Sequence, residues 1–335
     1  MEGVDKGGAE TGLAVLDLPA DALAVRVRGL VKSYGGQPAV QGIDLDIEKG
    51  EIFAILGPNG AGKTTTVEIL EGYRTRDSGE VTVCGLDPRH QRKQLKPLIG
   101  IVLQSTGVDR FLTVLETLSM YAGYYPEARR PDEVIELVGL ESKRNERVTR
   151  LSGGQQRRLD VAIALVGDPE LLFLDEPTTG FDPSARREAW DVVENLASLG
   201  KTVVLTTHYM DEAQHLADRV AVVSSGRIIA CGPPALLTHQ GTPMSRIRFE
   251  VPPGTDLPSG LPATVGPDGF ADLQVADVRS ALRTLLDWAD AGGISLDGIE
   301  VTKPTLEDIY LELTASSPGP HPSTPFERTD QEVTP

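Results

Sequence analysis

With 335 residues, 40% of them hydrophobic, the chain is long enough for one large domain and a smaller one. Its formal net charge of −17 argues against nucleic acid as the main ligand. No apolar run approaches the roughly 18 to 20 residues that span a bilayer, and the N-terminus lacks the basic and apolar regions of a signal peptide. We therefore expect a soluble protein that reaches a membrane only through a partner.

Composition divides the chain into segments. Residues 1–22 are rich in Gly, Ala and acidic side chains and predict a flexible arm, whereas residues 316–335 are rich in Pro, Ser and Thr and predict a disordered tail. Residues 23–239 form the predicted main domain, which is nearly neutral and includes a helix-rich subdomain at about 108–150. Residues 240–315 are more acidic and predict a small α+β accessory domain.

Short apolar runs alternate with longer helical patterns in the main domain. The predicted strands are LAVRVRGLV, EIFAIL, GEVTV, IGIVL, LLFL, TVVLTT and RVAVVS. The predicted helices are KTTTVEILEGY, TVLETLSMYAGYY, SGGQQRRLDVAIALV, PSARREAWDVVENLASLG and YMDEAQHLA. Fully apolar strands followed by helices predict an α/β fold, with a mostly parallel sheet that has helices on both faces.

The accessory domain has a different pattern. Its predicted strands, RIRFEV, FADLQV and ISLDGIEV, alternate apolar and polar residues, and its predicted helix is VRSALRTLLDWAD. The apolar helix residues Val278, Leu282, Leu285 and Leu286 are expected to form the core of this domain rather than a partner site. Cys84 and Cys231 are far apart, show no metal-like spacing and are expected to be buried free thiols.

The stretch GPNGAGKTT, residues 57–65, lies between a predicted strand and a predicted helix, which is the setting of a phosphate-binding loop. Gly60 and Gly62 let backbone N–H groups face a polyphosphate. Lys63 can reach its β and γ oxygens, and the hydroxyl of Thr64 can ligate Mg²⁺.

Further candidates stand at the ends of predicted strands, where open α/β sheets bind ligands. Asp175 can hold Mg²⁺ through water, and Glu176 can take a proton from an attacking water. His208 ends TVVLTT, and Gln104 ends IGIVL within reach of Mg²⁺ or its water. Tyr34 can stack on an adenine ring, although a surface turn is an equal alternative. The lack of an Asn-Lys-x-Asp element favours adenine over guanine.

A second phosphate-binding pattern, LSGGQQRRLD, occupies residues 151–160. Ser152 can cap a helix, the N–H groups of Gly153 and Gly154 are unobstructed, and the helix dipole is positive at this end. One chain thus carries two devices for holding phosphate.

In combination these motifs resemble the ATP-binding cassette (ABC) family. GPNGAGKTT is similar to its Walker A motif, Gln104 to its Q-loop, LSGGQ to its signature and LLFLDE to its Walker B motif with the catalytic Glu. TTGFD resembles its D-loop, and His208 its switch histidine. GLDP, TVLETL, TTHYMDEA and KPTLEDIYLELT are similar to ATPase subunits of type-2 bacterial exporters, including the daunorubicin-resistance kind. One departure is Phe181, where those proteins usually have Leu.

The resemblance implies a P-loop ABC nucleotide-binding domain with ATP and Mg²⁺ as cofactors. It implies that Glu176, His208 and Lys63 are catalytic, and that Thr64, Gln104 and Asp175 hold Mg²⁺. The residues expected to contact nucleotide are Tyr34, Gly57, Pro58, Asn59, Gly60, Ala61, Gly62, Lys63, Thr64, Thr65, Gln104, Ser152, Gly153, Gly154, Gln155 and Asp182.

The resemblance also implies partners. The signature of one subunit is expected to meet the ATP of another, so that ATP joins two protomers as a homodimer or as a pair with a related subunit. This dimer would drive a separate membrane-spanning permease from the cytoplasmic face of the membrane and export a drug or antibiotic, with lipid and polysaccharide left open. The alternatives are a soluble ABC ATPase acting on ribosomes or DNA, and a regulatory role for residues 240–315. The basic run at residues 89–96 is expected to be a solvated helix face.

Overall fold

The computed structural model describes residues 18–103, 107–237, 245–251, 263–266, 269–296 and 298–302, together with the single positions 15, 255, 257, 261, 306, 308 and 310. The predicted C-terminal tail, most of the predicted N-terminal arm and Gln104 lie outside the described residues.

Within that part of the chain, strands and α-helices alternate through the main domain. The strands are β1 Leu23–Tyr34, β2 Gln37–Glu48, β3 Ile52–Leu56, β4 Ser78–Val83, β5 Ile99–Val102, β6 Leu171–Asp175, β7 Thr202–Thr207, β8 Arg219–Ser224, β9 Arg227–Gly232, β10 Ser245–Glu250, β11 Ala263–Val265, β12 Phe270–Val275 and β13 Glu300–Thr302. The α-helices are α1 Lys63–Leu70, α2 Arg92–Leu95, α3 Val114–Ala122, α4 Pro131–Leu137, α5 Gly153–Leu165, α6 Pro183–Ser198, α7 Met210–Leu216, α8 Pro234–Leu237 and α9 Val278–Gly292.

The central sheet has six strands in the order β5-β6-β7-β3-β8-β9. All neighbours pair in parallel except β8 and β9, which pair antiparallel. Residues of β3 and β7 are buried along the full strand, as expected for strands covered on both faces. The predicted α/β fold with a mostly parallel sheet is therefore confirmed.

The two faces of this sheet are covered by different elements. Apolar side chains of α3, α4, α5, α6 and α7 pack with one face in a single buried cluster. The other face packs against α1 and against a second sheet of three antiparallel strands in the order β2-β1-β4. The prediction of helices on both faces is confirmed, because α1 lies on this second face. The same face also carries the antiparallel sheet, and LAVRVRGLV and GEVTV belong to that sheet rather than to the parallel one.

Strands β2, β9 and β11 were not among the predicted strands. In β2 the apolar residues Ile43, Leu45 and Ile47 alternate with exposed or polar ones, and all three are buried against the central sheet. Such alternation is typical of an antiparallel strand with one wet face. The register pairs Leu45 with Val27 of β1, and Val27 in turn with Val81 of β4.

The helix-rich region at about 108–150 contains α3, α4 and two short 3-10 helices, Glu141–Lys143 and Val148–Arg150. A capping box begins α3, because the Thr113 hydroxyl accepts from the Glu116 N–H while the Glu116 carboxylate accepts from the Thr113 N–H. The buried side chains of α3 and α4 share one cluster with α5, so this region packs directly on the helix that begins within the LSGG sequence.

The C-terminal region forms a four-stranded antiparallel sheet in the order β11-β12-β10-β13, with α9 packed on one face. Leu282 and Leu285 join this core, but Leu286 is 53% exposed, so its predicted core position is wrong because it lies on the outer side of α9. Of the predicted strand ISLDGIEV, only Glu300 and Val301 belong to a strand among the described residues; this strand, β13, ends at Thr302. Leu306 and Tyr310 pack against the cluster of the main domain.

No helix in the described part of the chain is long and apolar enough to cross a membrane. Both cysteines are thiols, and the predicted burial holds for Cys231 but only in part for Cys84, which is half-buried. Residues 89–96 are exposed except Leu95, in agreement with the prediction of a solvated surface.

Candidate functional site

A loop between β3 and α1 forms the predicted phosphate site. Gly62 has a φ of 103°, and a Cβ there would lie 2.4 Å from the carbonyl oxygen of Ala39. A Cβ on Gly57 would lie 2.3 Å from the carbonyl oxygen of Val223. Only glycine fits at both positions, because the loop backbone is pressed against its neighbours. The outer side of the loop, at residues 58–60, is left exposed as a cradle of backbone groups.

Lys63 begins α1 and is only 4% exposed. Its Nζ donates to the carbonyl oxygens of Gly57 at 2.7 Å and Pro58 at 3.1 Å. Burial lowers the pKa of Lys63, and the carboxylates of Glu176 and Asp175 oppose that shift. Among the described residues, this ammonium group donates to backbone carbonyls and faces the Glu176 carboxylate at 4.0 Å. Its charge and its place in the loop suit a polyphosphate.

Asp175 and Glu176 lie at the carboxyl end of β6, next to Thr206 of β7. The Thr206 hydroxyl donates to Asp175 Oδ1 at 2.5 Å, and the Glu176 N–H donates to the Thr206 carbonyl and hydroxyl oxygens, each at 3.1 Å. Glu176 has a φ of 44°, in the left-handed region that residues other than glycine seldom occupy. Such strained residues cluster at functional sites, where the surroundings hold them in place.

The side chain of Glu176 meets the other predicted catalytic residues. Its Oε1 lies 3.3 Å from His208 Nδ1 and 4.0 Å from Lys63 Nζ, while its Oε2 accepts from the Thr179 hydroxyl at 3.1 Å. The ends of β6, β7 and β3 are neighbours in the sheet, and this adjacency brings the three side chains together. The structure therefore places Lys63, Glu176 and His208 in one cluster beside Asp175.

The signature sequence begins α5. Ser152 caps this helix in a capping box with Gln155: the Ser152 hydroxyl accepts from the Gln155 N–H at 3.3 Å and the Ser152 N–H donates to Gln155 Oε1 at 3.0 Å. Gly153 is exposed, and no atom lies within 4 Å of a Cβ added to it. Among the described residues, no hydrogen bond joins these residues to the phosphate loop or to Glu176. The structure thus leaves the start of α5 free to meet another molecule.

Two other predicted nucleotide contacts lie apart from the cluster. Tyr34 ends β1 and is 42% exposed, with Lys32 Nζ 5.4 Å and the Arg74 guanidinium carbon 5.6 Å from its ring centre. Asp182 caps α6, because its Oδ1 accepts from the N–H groups of Ser184 and Ala185, at 2.9 Å each. A nucleotide contact of Asp182 stays a prediction beside this capping role.

Comparison with known proteins identifies the family. The ABC transporter family matches residues 40–179, and an ABC transporter C-terminal domain family matches residues 245–305. The chain is 37% identical over 321 residues to the Nod factor export ATP-binding protein I of Rhizobium meliloti (strain 1021), covering 91% of this chain and 93% of that protein. The chain belongs to the ABC transporter ATP-binding proteins. It is also 37% identical to the daunorubicin/doxorubicin resistance ATP-binding protein DrrA of Streptomyces peucetius, covering 87% of this chain and 92% of that protein.

Solved structures agree with the assignment of this chain to the ABC family. CbiO1 from Clostridium perfringens, described as part of the ABC transporter complex cbiONQ, matches with a TM-score of 0.61 at 29% identity and covers 65% of this chain and 92% of that one. The ATP-binding cassette MJ0796, in a dimeric post-hydrolysis state bound to ADP and Pi, matches with a TM-score of 0.55 at 27% identity, covering 62% and 98%. The chain is thus an ATP-binding ATPase of the kind that powers transport, and its predicted resemblance to type-2 exporter ATPases is confirmed.

The sequence motifs missed three residues that shape the ATPase site. Thr206 fixes the backbone of Glu176, Arg157 donates to backbone carbonyls on both sides of Glu176, and Glu71 is a buried carboxyl after α1. The sequence does indicate that Arg157 is buried, because helical spacing puts it on the same face of α5 as the apolar Val161 and Leu165. Nothing in the local sequence indicates that Glu71 is buried.

Burial of Glu71 predicts a pH-dependent stability. This carboxyl is 5% exposed and has no hydrogen-bond partner among the described residues, and burial, then the charges of Asp175 and Glu68, raise its pKa from 4.5 to about 8. The stability linked to a raised folded pKa is complete below pH 4.5 and is lost as the pH rises through about 8. Glu71→Gln should therefore stabilise the chain by an amount that grows by roughly 1.4 kcal/mol per pH unit between these values.

Urea unfolding without nucleotide at pH 6 and pH 8 would check this prediction. Glu141→Gln, an exposed residue on a short 3-10 helix, is the matched control and should change the free energy of unfolding equally at both pH values. An effect of Glu71→Gln that is the same at pH 6 and pH 8 would contradict the raised pKa.

Proposed function

We propose that this chain is the ATP-hydrolysing subunit of an exporter and that Glu176 is its general base. The observation that carries the proposal is the position of Glu176 Oε1, 3.3 Å from His208 Nδ1 and 4.0 Å from Lys63 Nζ. In this arrangement Lys63 and the loop N–H groups neutralise phosphate charge, Glu176 accepts a proton from water, and His208 contacts the γ-phosphate. Charge stabilisation by preorganised donors is commonly the largest contribution to such catalysis.

The residues present fit a magnesium ion beside the phosphates. Mg²⁺ prefers oxygen ligands and keeps several waters, and the exposed hydroxyl of Thr64 and the carboxylate of Asp175 are donors of that kind. The Thr206 hydroxyl donates to Oδ1 of this carboxylate. Bound there with Gln104, the ion would supply neutralisation of phosphate charge.

The start of α5 fits the role of the other half of a nucleotide site. The Ser152 hydroxyl accepts within its own capping box and still has its own proton to donate, and the adjacent N–H groups of Gly153 and Gly154 begin the helix. An exposed helix start of this kind favours an anion. We place these residues against the ATP of a second subunit, as the dimeric arrangement of the related MJ0796 supports.

An exposed aromatic face, defined by Tyr73, Tyr121, Tyr124 and Tyr125, is the proposed permease contact. Tyr73 is 57% and Tyr124 73% exposed, and the rings of Tyr121 and Tyr124 lie 6.0 Å apart. Tyr125 is half-buried, and burial, followed by the nearby Tyr73, raises its pKa. Arg92 lies over the Tyr73 ring at 4.8 Å. Exposed apolar patches of this kind mark interaction sites, and the related cbiO1 is part of a transporter complex.

Co-expression with a candidate permease, a membrane protein with several apolar spans encoded by an adjacent reading frame, tests this role. We expect the wild-type chain to hydrolyse Mg-ATP and to purify with that protein in detergent. Tyr73→Ser combined with Tyr124→Ser should keep the hydrolysis rate of the isolated chain but lose the permease. Leu199→Ser, which removes an exposed apolar side chain after α6, is the control and should keep both. Retention of the permease by the double tyrosine variant would refute the aromatic face as its contact.

The relatives support an exported substrate without fixing its chemistry. One is named for Nod factor export and another for daunorubicin and doxorubicin resistance. We propose a drug-like or antibiotic substrate, with a lipid or polysaccharide as the second candidate, and a peripheral place at the cytoplasmic face of the membrane. The alternative of action on ribosomes or DNA has no support among these relatives. Residues 23–239 would be the ATP-binding domain and residues 240–315 the accessory domain.

A further inference from the structure

Arg157 and Arg158 are neighbours on α5 with opposite surroundings. Arg157 is 8% exposed and points toward the central sheet, whereas Arg158 is half-buried and pairs with the exposed Glu188 at 2.8 Å. A buried guanidinium is costly unless all its donors find acceptors. The acceptors of Arg157 therefore need to be identified, because they show what the buried side chain holds in place.

The three guanidinium nitrogens of Arg157 each donate to a different backbone carbonyl. Nε donates to Pro177 at 3.1 Å, Nη2 to Asp175 at 3.1 Å and Nη1 to Leu103 at 2.5 Å. Leu103 follows β5, and Asp175 ends β6, so one side chain joins α5 to the carboxyl ends of two adjacent strands. Arg is suited to this because its donors are planar and fixed in direction, whereas Lys has a single nitrogen.

Two of these acceptors flank Glu176. The carbonyls of Asp175 and Pro177 come immediately before and after it, and Glu176 itself has a φ of 44°. A residue in this strained conformation keeps it only where the surroundings determine it. Arg157 on one side and Thr206 on the other hold the backbone here, and the Thr179 N–H donates to the Glu176 carbonyl at 3.3 Å.

We propose that Arg157 is a positioning residue that couples the start of α5 to the orientation of Glu176. The inference rests on the proposed function, in which Ser152–Gly154 meet the ATP of a second subunit and Glu176 acts on the ATP of its own. A movement of α5 when its first turn engages the second nucleotide passes through Arg157 to the backbone of Glu176. The two sites of a dimer then hydrolyse ATP cooperatively, and each chain contains the link.

Arg157→Lys is the main test, because it keeps the charge but cannot reach carbonyls on both sides of Glu176. We expect equilibrium binding of a fluorescent ATP analogue to be unchanged, kcat to fall by up to about 100-fold, the loss typical of a misplaced catalytic group, and the Hill coefficient for ATP to fall towards one. Arg158→Lys is the matched control and should change none of these. Unchanged kcat and Hill coefficient in Arg157→Lys would overturn the proposal.

The double variant Arg157→Lys, Glu176→Gln separates positioning from a loss of structure. If Arg157 acts through Glu176, the double variant should be no slower than Glu176→Gln alone in single-turnover assays, since residues that act as a unit are not additive. Multiplied losses would overturn the proposal. The wild-type chain, assayed in parallel, distinguishes failure of the proposed function from failure of the coupling. If the wild type hydrolyses no ATP, the proposed function is refuted. If the wild type turns over normally and Arg157→Lys is unaffected, only the coupling is refuted.

Discussion

Replacing Glu176 by Gln is expected to lower kcat for ATP hydrolysis by about 10²- to 10⁴-fold, the usual contribution of a general base. Gln has the same shape, so the hydrogen bond from Thr179 and the contact with His208 can both persist. What disappears is the charge that accepts a proton and that faces Lys63 Nζ at 4.0 Å. ATP binding should therefore survive, and the ATP-bound dimer should accumulate because turnover no longer dissolves it.

Steady-state hydrolysis at saturating Mg-ATP measures the first effect, and size-exclusion chromatography with ATP measures the second. Glu188→Gln removes the charge of another glutamate, on the outer face of α6, and should leave both unchanged. A Glu176→Gln variant that turns over ATP at the wild-type rate would reject Glu176 as the base. A variant that loses hydrolysis without forming the dimer would separate catalysis from dimer closure.

The convergence of the predicted catalytic residues could be anticipated from the sequence, because it depends on short-range patterns. An apolar run of strand length followed by glycines and Lys63, or by Asp175 and Glu176, places these groups at strand ends. Parallel strands in one sheet share the edge at which they end, so the sequence alone brings Lys63, Glu176 and His208 near each other. The distances between them confirm that placement, although their roles stay predictions.

The sheet to which a strand belongs could not be predicted, because pairing joins residues far apart in the chain. Val27 of β1 has the apolar alternation of many strands, and only its partners Leu45 and Val81 put it in the antiparallel sheet. For the same reason, the burial of Glu71 could not be predicted from the sequence. Its charged neighbour Asp175 lies more than a hundred residues further along the chain, and no local pattern reports such a contact.

Mixed dimers are expected to show that each ATP site uses two chains. A Lys63→Ala chain paired with a Gly153→Asp chain should retain hydrolysis, because the intact phosphate loop of one chain faces the intact signature of the other. A wild-type chain paired with a Lys63→Ala, Gly153→Asp chain should have none, since each site then contains one defect. Both mixtures carry the same substitutions, and loss of one donor to a reacting phosphate costs about 10²- to 10³-fold.

The structure makes Gly153→Asp a clean probe of the interface. No atom lies within 4 Å of a Cβ at Gly153, and the position opens α5, where a carboxylate favours the helix dipole. The substitution should therefore leave the single chain folded, with an unchanged melting temperature, while its charge repels a phosphate brought by another subunit. Co-purification of the two chains through different affinity tags, followed by an ATPase assay, gives the comparison. Equal rates in the two mixtures would mean that Ser152–Gly154 serve no ATP site. Hydrolysis only by the pair of wild-type and doubly substituted chains would mean that they serve the ATP of their own chain.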